Sequence, residues 1–309
     1  MRRARSRKRK WTSCSRRSRC RSKAAASKTL PSEPIGEVGA SSAPLGAGET
    51  LPGGDAAAPI RADRRLVRRP WLTALLAIPL GLAYVVVTTA AVIAAALVPI
   101  VNRGGEDLTD LSARVGLDAD FVSIGAWAGT AVVVPLILVV ARRQAVTTGA
   151  ELLGWKLPTV RQLGGWIGGL LLFLAASDGL TLLLGRDVVP QVMRDMYSSA
   201  DAVVVFWLTL VVAAPLFEEL LFRGLLFQAL IETRLKFAGA ALITSLGWSA
   251  LHVQYDAYGI ASIFAGGLLL SAARYYTGSV LVSMAMHAAM NFLATLEVLW
   301  VLRSGAGSP

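Results

Sequence analysis

Seven apolar runs of membrane-crossing length fill the chain from Trp71 to Leu302, near 71–100, 121–141, 164–184, 202–231, 237–256, 258–273 and 279–302. A helix needs ~20 apolar residues to cross a bilayer. Each run meets or approaches that length, so the fold expected is an all-α, polytopic transmembrane bundle of about seven spans. The first run is long enough to tilt or to hold an interfacial turn, and the sixth is short enough to be tilted or partly re-entrant. Composition agrees: 54% of the 309 residues are hydrophobic and 17% are charged, where a soluble domain carries about 25% charged residues.

The remaining charge is uneven. Residues 1–24 are basic and Ser-rich, and 25–60 are rich in Ala, Gly, Pro and Ser. Neither stretch can bury a core, so 1–60 is read as a disordered tail. Much of the net charge of +11 sits there. No folded nucleic-acid module accompanies it, so no nucleic-acid partner is expected. Cytoplasmic retention, or attraction to anionic membrane lipids, suits it better. A start codon further downstream is the alternative. The first apolar run is too late and too long for a cleaved signal peptide. Both cysteines, Cys14 and Cys20, lie in the tail, so the hydrophobic body has no disulfide framework or thiolate metal site. The division expected is a tail at 1–60, N-terminal spans with an interfacial segment at 61–163, and a core at 164–309.

Orientation follows from Lys and Arg. Arg64, Arg65, Arg68 and Arg69 precede the first span; Arg142, Arg143, Lys156 and Arg161 fall between spans two and three; Arg234 and Lys236 fall between four and five, and Arg274 between six and seven. All are cytoplasmic if the N-terminus is, while the acidic loop at 102–120 faces outward. The expectation is an integral membrane protein, placed in the cell membrane, with its N-terminus in the cytoplasm and its C-terminus outside. Glu151–Pro158 reads as an interfacial segment anchored by Trp155 and Lys156. Gly164, Gly165, Gly168 and Gly169 form two small-xxx-small pairs suited to close helix approach.

An ionised side chain at mid-membrane costs ~2.5–3.5 kcal/mol on insertion scales, yet the fourth run holds Glu218, Glu219 and Arg223. Glu219 and Arg223 are four apart and can pair. Glu218 lies ~100° around the helix from Glu219 and has no partner on its own helix. A carboxylate so placed, facing a cavity, is a candidate general base or metal ligand. The chain's two histidines, His252 and His287, both fall in apolar runs, and Asn291 follows His287 by one turn. A lone histidine in such a helix is usually a packing residue; two, with an aligned Asn, favour a site. At ~1.5 Å per residue from the cytoplasmic ends, Glu218, His252 and His287 lie roughly 20, 22 and 12 Å deep and can converge.

Glu218-Glu219-Leu-Leu-Phe-Arg223 resembles the EExxxR motif of the CPBP intramembrane proteases, the CAAX-protease and bacteriocin-processing (Abi-type) family. Trp248 to His252 resembles that family's FxxxH, with Trp for Phe, and His287 to Asn291 resembles its HxxxN. The lead-in Tyr276–Met286 is also similar, and the likeness runs from the third span onward. The resemblance implies an intramembrane endopeptidase. Glu218 would activate water, His252 would assist, His287 and Asn291 would hold the oxyanion, and Glu219 and Arg223 would support the helix. Substrates would be membrane-associated peptides or proteins cut near the cytoplasmic side, in CAAX-type processing or in bacteriocin-type maturation or immunity. Glu218, His252 and His287 could instead complete a zinc site with an open position for water; a metal-free glutamate/histidine pair uses the same residues.

Other polar residues take plainer readings. Asp178 is expected to pack with Ser177 and Thr181, with lining a cavity as the alternative, Glu297 to reach the outer interface, Arg274 to anchor at the cytoplasmic surface, and Gln228 to bond across helices. Two other function classes compete with the protease: a non-catalytic membrane scaffold or immunity protein keeping the fold, and an ion- or proton-coupled transporter using Glu218, Arg223 and Asp178. No inverted repeat supports the transporter.

Overall fold

The computed structural model describes residues 64–103 and 118–304. The expected disordered tail with its two cysteines, and nearly all of the acidic 102–120 loop, lie outside the described residues.

The bundle consists of helices α1 (Pro70–Arg103), α2 (Ala119–Gln144), a one-turn α3 (Gly149–Leu153), α4 (Val160–Leu183), a short α5 (Gln191–Ser198), α6 (Val203–Ile231), α7 (Lys236–Ser249), α8 (Ala257–Thr277) and α9 (Val280–Ser304). Among the described residues the only β-type pairing is one isolated bridge, Val67 with Ala145. Six helices (α1, α2, α4, α6, α8 and α9) are long and apolar enough to cross a membrane. The chain is an integral membrane protein of helical type.

The fifth expected span is corrected. Residues 237–256 are not one crossing helix, because α7 ends at Ser249 after 14 residues, a rise of ~21 Å against a ~30 Å hydrocarbon core. No Gly or Pro follows Ser249 in the turn that ends it. The Leu251 and His252 N–H groups turn back only three residues, to the carbonyls of Trp248 and Ser249. The His252 ring nitrogen Nδ1 also lies 3.0 Å from the Trp248 carbonyl. The apolar loop that follows is what hydropathy reads as more helix. The sixth run, by contrast, is a full-length helix of 21 residues, its first turn capped by the Asp256 side chain.

α6 is not uniform. Thr209–Ala213 and Leu220–Leu226 are π-helical, flanking an α-helical piece, Ala214–Glu219, that carries both glutamates. Such wide turns cluster at functional sites. Pro215 accounts for the first. Its lack of an N–H deprives the Leu210 carbonyl of an i+5 donor, while the i+4 donor, Ala214 N–H, goes to Thr209.

At one end of the bundle Glu232 accepts from the Leu66 and Val67 N–H groups, and Arg68 N–H bonds Gln144 O. This end carries Arg64–Arg69, Arg142, Arg143, Arg234 and Lys236. The expected interfacial segment is α3 and its exit turn, with Trp155 exposed. Gly154 there has φ +73°, and a Cβ on it would lie 2.5 Å from the Arg274 guanidinium. That approach overturns the surface-anchor expectation. Arg274 is buried, donating to the Arg223 carbonyl and to Gln228. Gln228 does bond across helices, as expected. The α4 glycines receive no close neighbour: nothing lies within 4 Å of a Cβ built on Gly164, Gly165, Gly168 or Gly169. The helix approach that matters is at Gly267, where a Cβ would come within 3.0 Å of both Ser245 and Trp248.

Candidate active site

The neighbouring glutamates Glu218 and Glu219 face different surroundings because one residue turns the helix by ~100°. Glu219 is fully buried, its side chain 0% exposed, while 17% of the Glu218 side chain reaches solvent-accessible space. Glu219 Oε1 accepts from Arg223 Nη1 at 2.9 Å and lies 3.0 Å from His287 Nδ1. The i, i+4 pair expected from the sequence is thus present, and it also holds a histidine on another helix. The Arg223 guanidinium lies 4.4 Å from the Trp248 ring centroid and donates to the Gly267 carbonyl.

Trp248 sits at the centre of the cluster. Its Nε1–H donates to Glu218 Oε2, and its ring stands edge-on to His252 and His287, with centroids 5.2 and 5.1 Å away. The sequence marks this tryptophan only as an aromatic wall, yet it is the donor that orients the candidate base. A phenylalanine at the same position has no N–H to give.

The two histidines differ from expectation in placement and in available chemistry. His252 lies on the α7–α8 loop rather than within a helix, its Nδ1 turned to the Trp248 carbonyl. His287, on α9, points Nε2 toward Glu218 Oε2 at 3.9 Å. In both rings Nδ1 faces an acceptor and so carries the proton. Nε2 is then a lone pair in the neutral ring and a donor only in the imidazolium. Asn291 Nδ2 donates to the Leu210 carbonyl at 2.7 Å. This is the carbonyl that Pro215 leaves without a helical donor, so Asn291 has a structural task besides any chemical one.

These residues form the floor of a cavity of about 1050 Å³. Glu218, Trp248, His252, His287 and Asn291 all line it. Asp178 and Glu297 line it as well. Thr181 bonds Ser177 and Tyr258 without Asp178, and Glu297 faces the cavity. The cavity continues to the α4–α5 connection and the α7–α8 loop, ending at Arg186, Asp187, Gln191, Arg194, Gln254 and Asp256. No residue of the basic end lines it. At the mouth Arg186 pairs with Asp256. The Gly259 N–H, and then Arg186, hold the Asp256 carboxyl below the usual carboxylate range.

The zinc expectation has no ligand set in this arrangement. Among the described residues no three His, Cys, Asp or Glu side chains gather to hold one ion. The Trp248 ring stands beside both imidazoles, and His287 Nδ1 is taken by Glu219.

Comparison with known proteins adds a family match. Residues 200–293 match the family described as type II CAAX prenyl endopeptidase Rce1-like. This segment holds all six site residues and is consistent with the CPBP resemblance of the three motifs. An uncharacterized 24.3 kDa protein of Escherichia coli is 32% identical over 129 residues, 40% of this chain and 53% of the relative. The chain thus spans about half of that relative's length. No solved structure matches the chain.

Proposed function

We propose that the chain is an intramembrane endopeptidase, cutting a peptide bond in a membrane-associated peptide or protein with water activated by glutamate and histidine. The observation that carries this is the asymmetry of the glutamate pair. Glu218 alone opens onto the cavity, held by the Trp248 N–H, while Glu219 is spent on Arg223 and His287. A buried ion pair of this kind aligns the helix, and the free carboxylate beside it is left to act as a base.

In this mechanism Glu218 takes a proton from water as the water oxygen attacks the peptide carbonyl carbon. His252, through Nε2, serves as a second acceptor for that water. Negative charge develops on the carbonyl oxygen, where the second amide N–H of Asn291 supplies a donor, joined by His287 Nε2–H whenever that ring is the imidazolium. Collapse breaks the C–N bond, and the proton held by Glu218 passes to the leaving amine. Glu219 and Arg223 support the site without touching substrate. CAAX-type processing and bacteriocin-type maturation or immunity both fall within this chemistry.

The test is cleavage of a panel of membrane peptides by the purified protein in detergent, beside Glu218→Ala and His252→Ala. Cleavage lost in both variants supports the mechanism; cleavage that survives either change removes it.

A further inference from the structure

The cavity has its floor midway along the bundle and its mouth at one end, and charge divides between that end and the other. Glu218, Trp248 and His287 make the floor. Beneath them the bundle is sealed by buried side chains, among them Phe217, Leu220, Leu225 and Leu153. The mouth lies between the α4–α5 connection and the α7–α8 loop. These are tied together by Arg186 with Asp256, by Arg186 over the Tyr258 ring, and by Tyr255 Oη donating to Met193 Sδ.

The end beyond the floor carries the excess of cations: Arg64, Arg65, Arg68 and Arg69 before α1, Arg142 and Arg143 closing α2, and Arg234 and Lys236 between α6 and α7. At the mouth, Arg186 and Arg194 are each matched by an aspartate, Asp256 and Asp187. Short connections rich in Lys and Arg stay on the cytoplasmic side of a membrane.

From this polarity we infer that the chamber is entered from the non-cytoplasmic face and receives peptide segments presented on that side. Resting on the protease reading, the inference narrows its substrate class to membrane-associated chains whose scissile bond lies outside the cytoplasm. A C-terminus modified in the cytoplasm would meet the sealed end. The depth of Glu218 fits as well: it lies 15 residues along α6 from Val203 at the mouth end, or ~22 Å. An extended segment of about seven residues reaches that far.

The entry face is decided by cysteine accessibility in the full-length chain with Cys14→Ser and Cys20→Ser, expressed in bacterial cells and converted to spheroplasts. Gln191→Cys reports the mouth, Asp187→Cys is a second mouth reporter, and Ala150→Cys on α3 reports the basic end. A membrane-impermeant maleimide should label the mouth cysteines in intact spheroplasts, and Ala150→Cys only after permeabilisation. The reverse pattern overturns the inference. Cleavage of the peptide panel is then compared in right-side-out and inverted vesicles, each with and without Glu218→Ala. Glu218-dependent cleavage confined to right-side-out vesicles is expected, and cleavage confined to inverted vesicles overturns the substrate assignment. If neither preparation cleaves while the labelling pattern holds, the protease reading fails and the entry face stands.

Discussion

Trp248 donates its indole N–H to Glu218, the one carboxylate of the pair that reaches the cavity. Indole and carboxylate come from different helices, α7 and α6, so this bond ties the angle between the helices to the aim of the base. It also gives the Phe-to-Trp difference in the second motif a chemical meaning, because an aromatic wall becomes a hydrogen-bond donor.

Trp248→Phe should therefore keep the ring between the histidines and lose the aim. A hydrogen bond to a charged group is worth ~1.5–3 kcal/mol, so the turnover rate should fall about tenfold or more. Unchanged turnover would reduce Trp248 to packing.

Asn291 has two tasks that substitution can separate. Asn291→Ala leaves the Leu210 carbonyl without the donor Pro215 cannot supply, and an unmet buried acceptor costs ~1–3 kcal/mol. Pro215→Ala restores a main-chain N–H, so the double variant should regain unfolding temperature relative to Asn291→Ala. Turnover should not recover if the carboxamide also serves the oxyanion. Recovery of both would assign Asn291 to structure alone.

Arg274 is the clearest departure from its surface reading. Arg274→Ala removes a buried side chain that donates to the Arg223 carbonyl in the second π-helical piece and to Gln228. The loss should be ~3 kcal/mol or more, since buried polar partners are left unmet. Thermal unfolding in detergent should show a clear fall, where a surface anchor would show almost none.

Asp256 makes the mouth sensitive to acid. Its carboxyl sits below the ordinary value of 3.8 because the Gly259 N–H, followed by Arg186, favours the charged form. The stabilisation is complete above the unfolded value and is lost as pH falls through the folded one. Limited proteolysis of the α7–α8 loop should rise as pH drops below about 4. In Asp256→Asn this rise should be absent, the loop being equally open at all pH values.

Much of the fold was legible because crossing a bilayer demands long apolar helices, and six of the seven runs are such helices. The fifth was misread because Ala250, Leu251 and Val253 are as apolar as the helix before them, so hydropathy has no edge at Ser249. The different surroundings of Glu218 and Glu219 followed from helical rotation alone. Trp248 as donor, Arg274 as internal cation, and Asp178 with Glu297 on the cavity wall all depend on which helices meet, which no local pattern encodes. The π-helical pieces had one local sign, Pro215, whose consequence appears only where Asn291 meets the Leu210 carbonyl. The α4 glycines show the converse, a packing pattern with no partner against it.

The central claim is that neighbouring glutamates divide their work, Glu218 in chemistry and Glu219 in structure. It is tested most directly by Glu218→Gln and Glu219→Gln, with peptide cleavage and thermal unfolding measured on the same preparations. Glu218→Gln should lose cleavage by about a hundredfold or more, the scale of a general base, with its unfolding temperature nearly kept. Glu219→Gln should lose unfolding temperature sharply, because Arg223 is left buried without its carboxylate. Full cleavage by Glu218→Gln, or a Glu219→Gln protein as stable as the parent, would contradict the account.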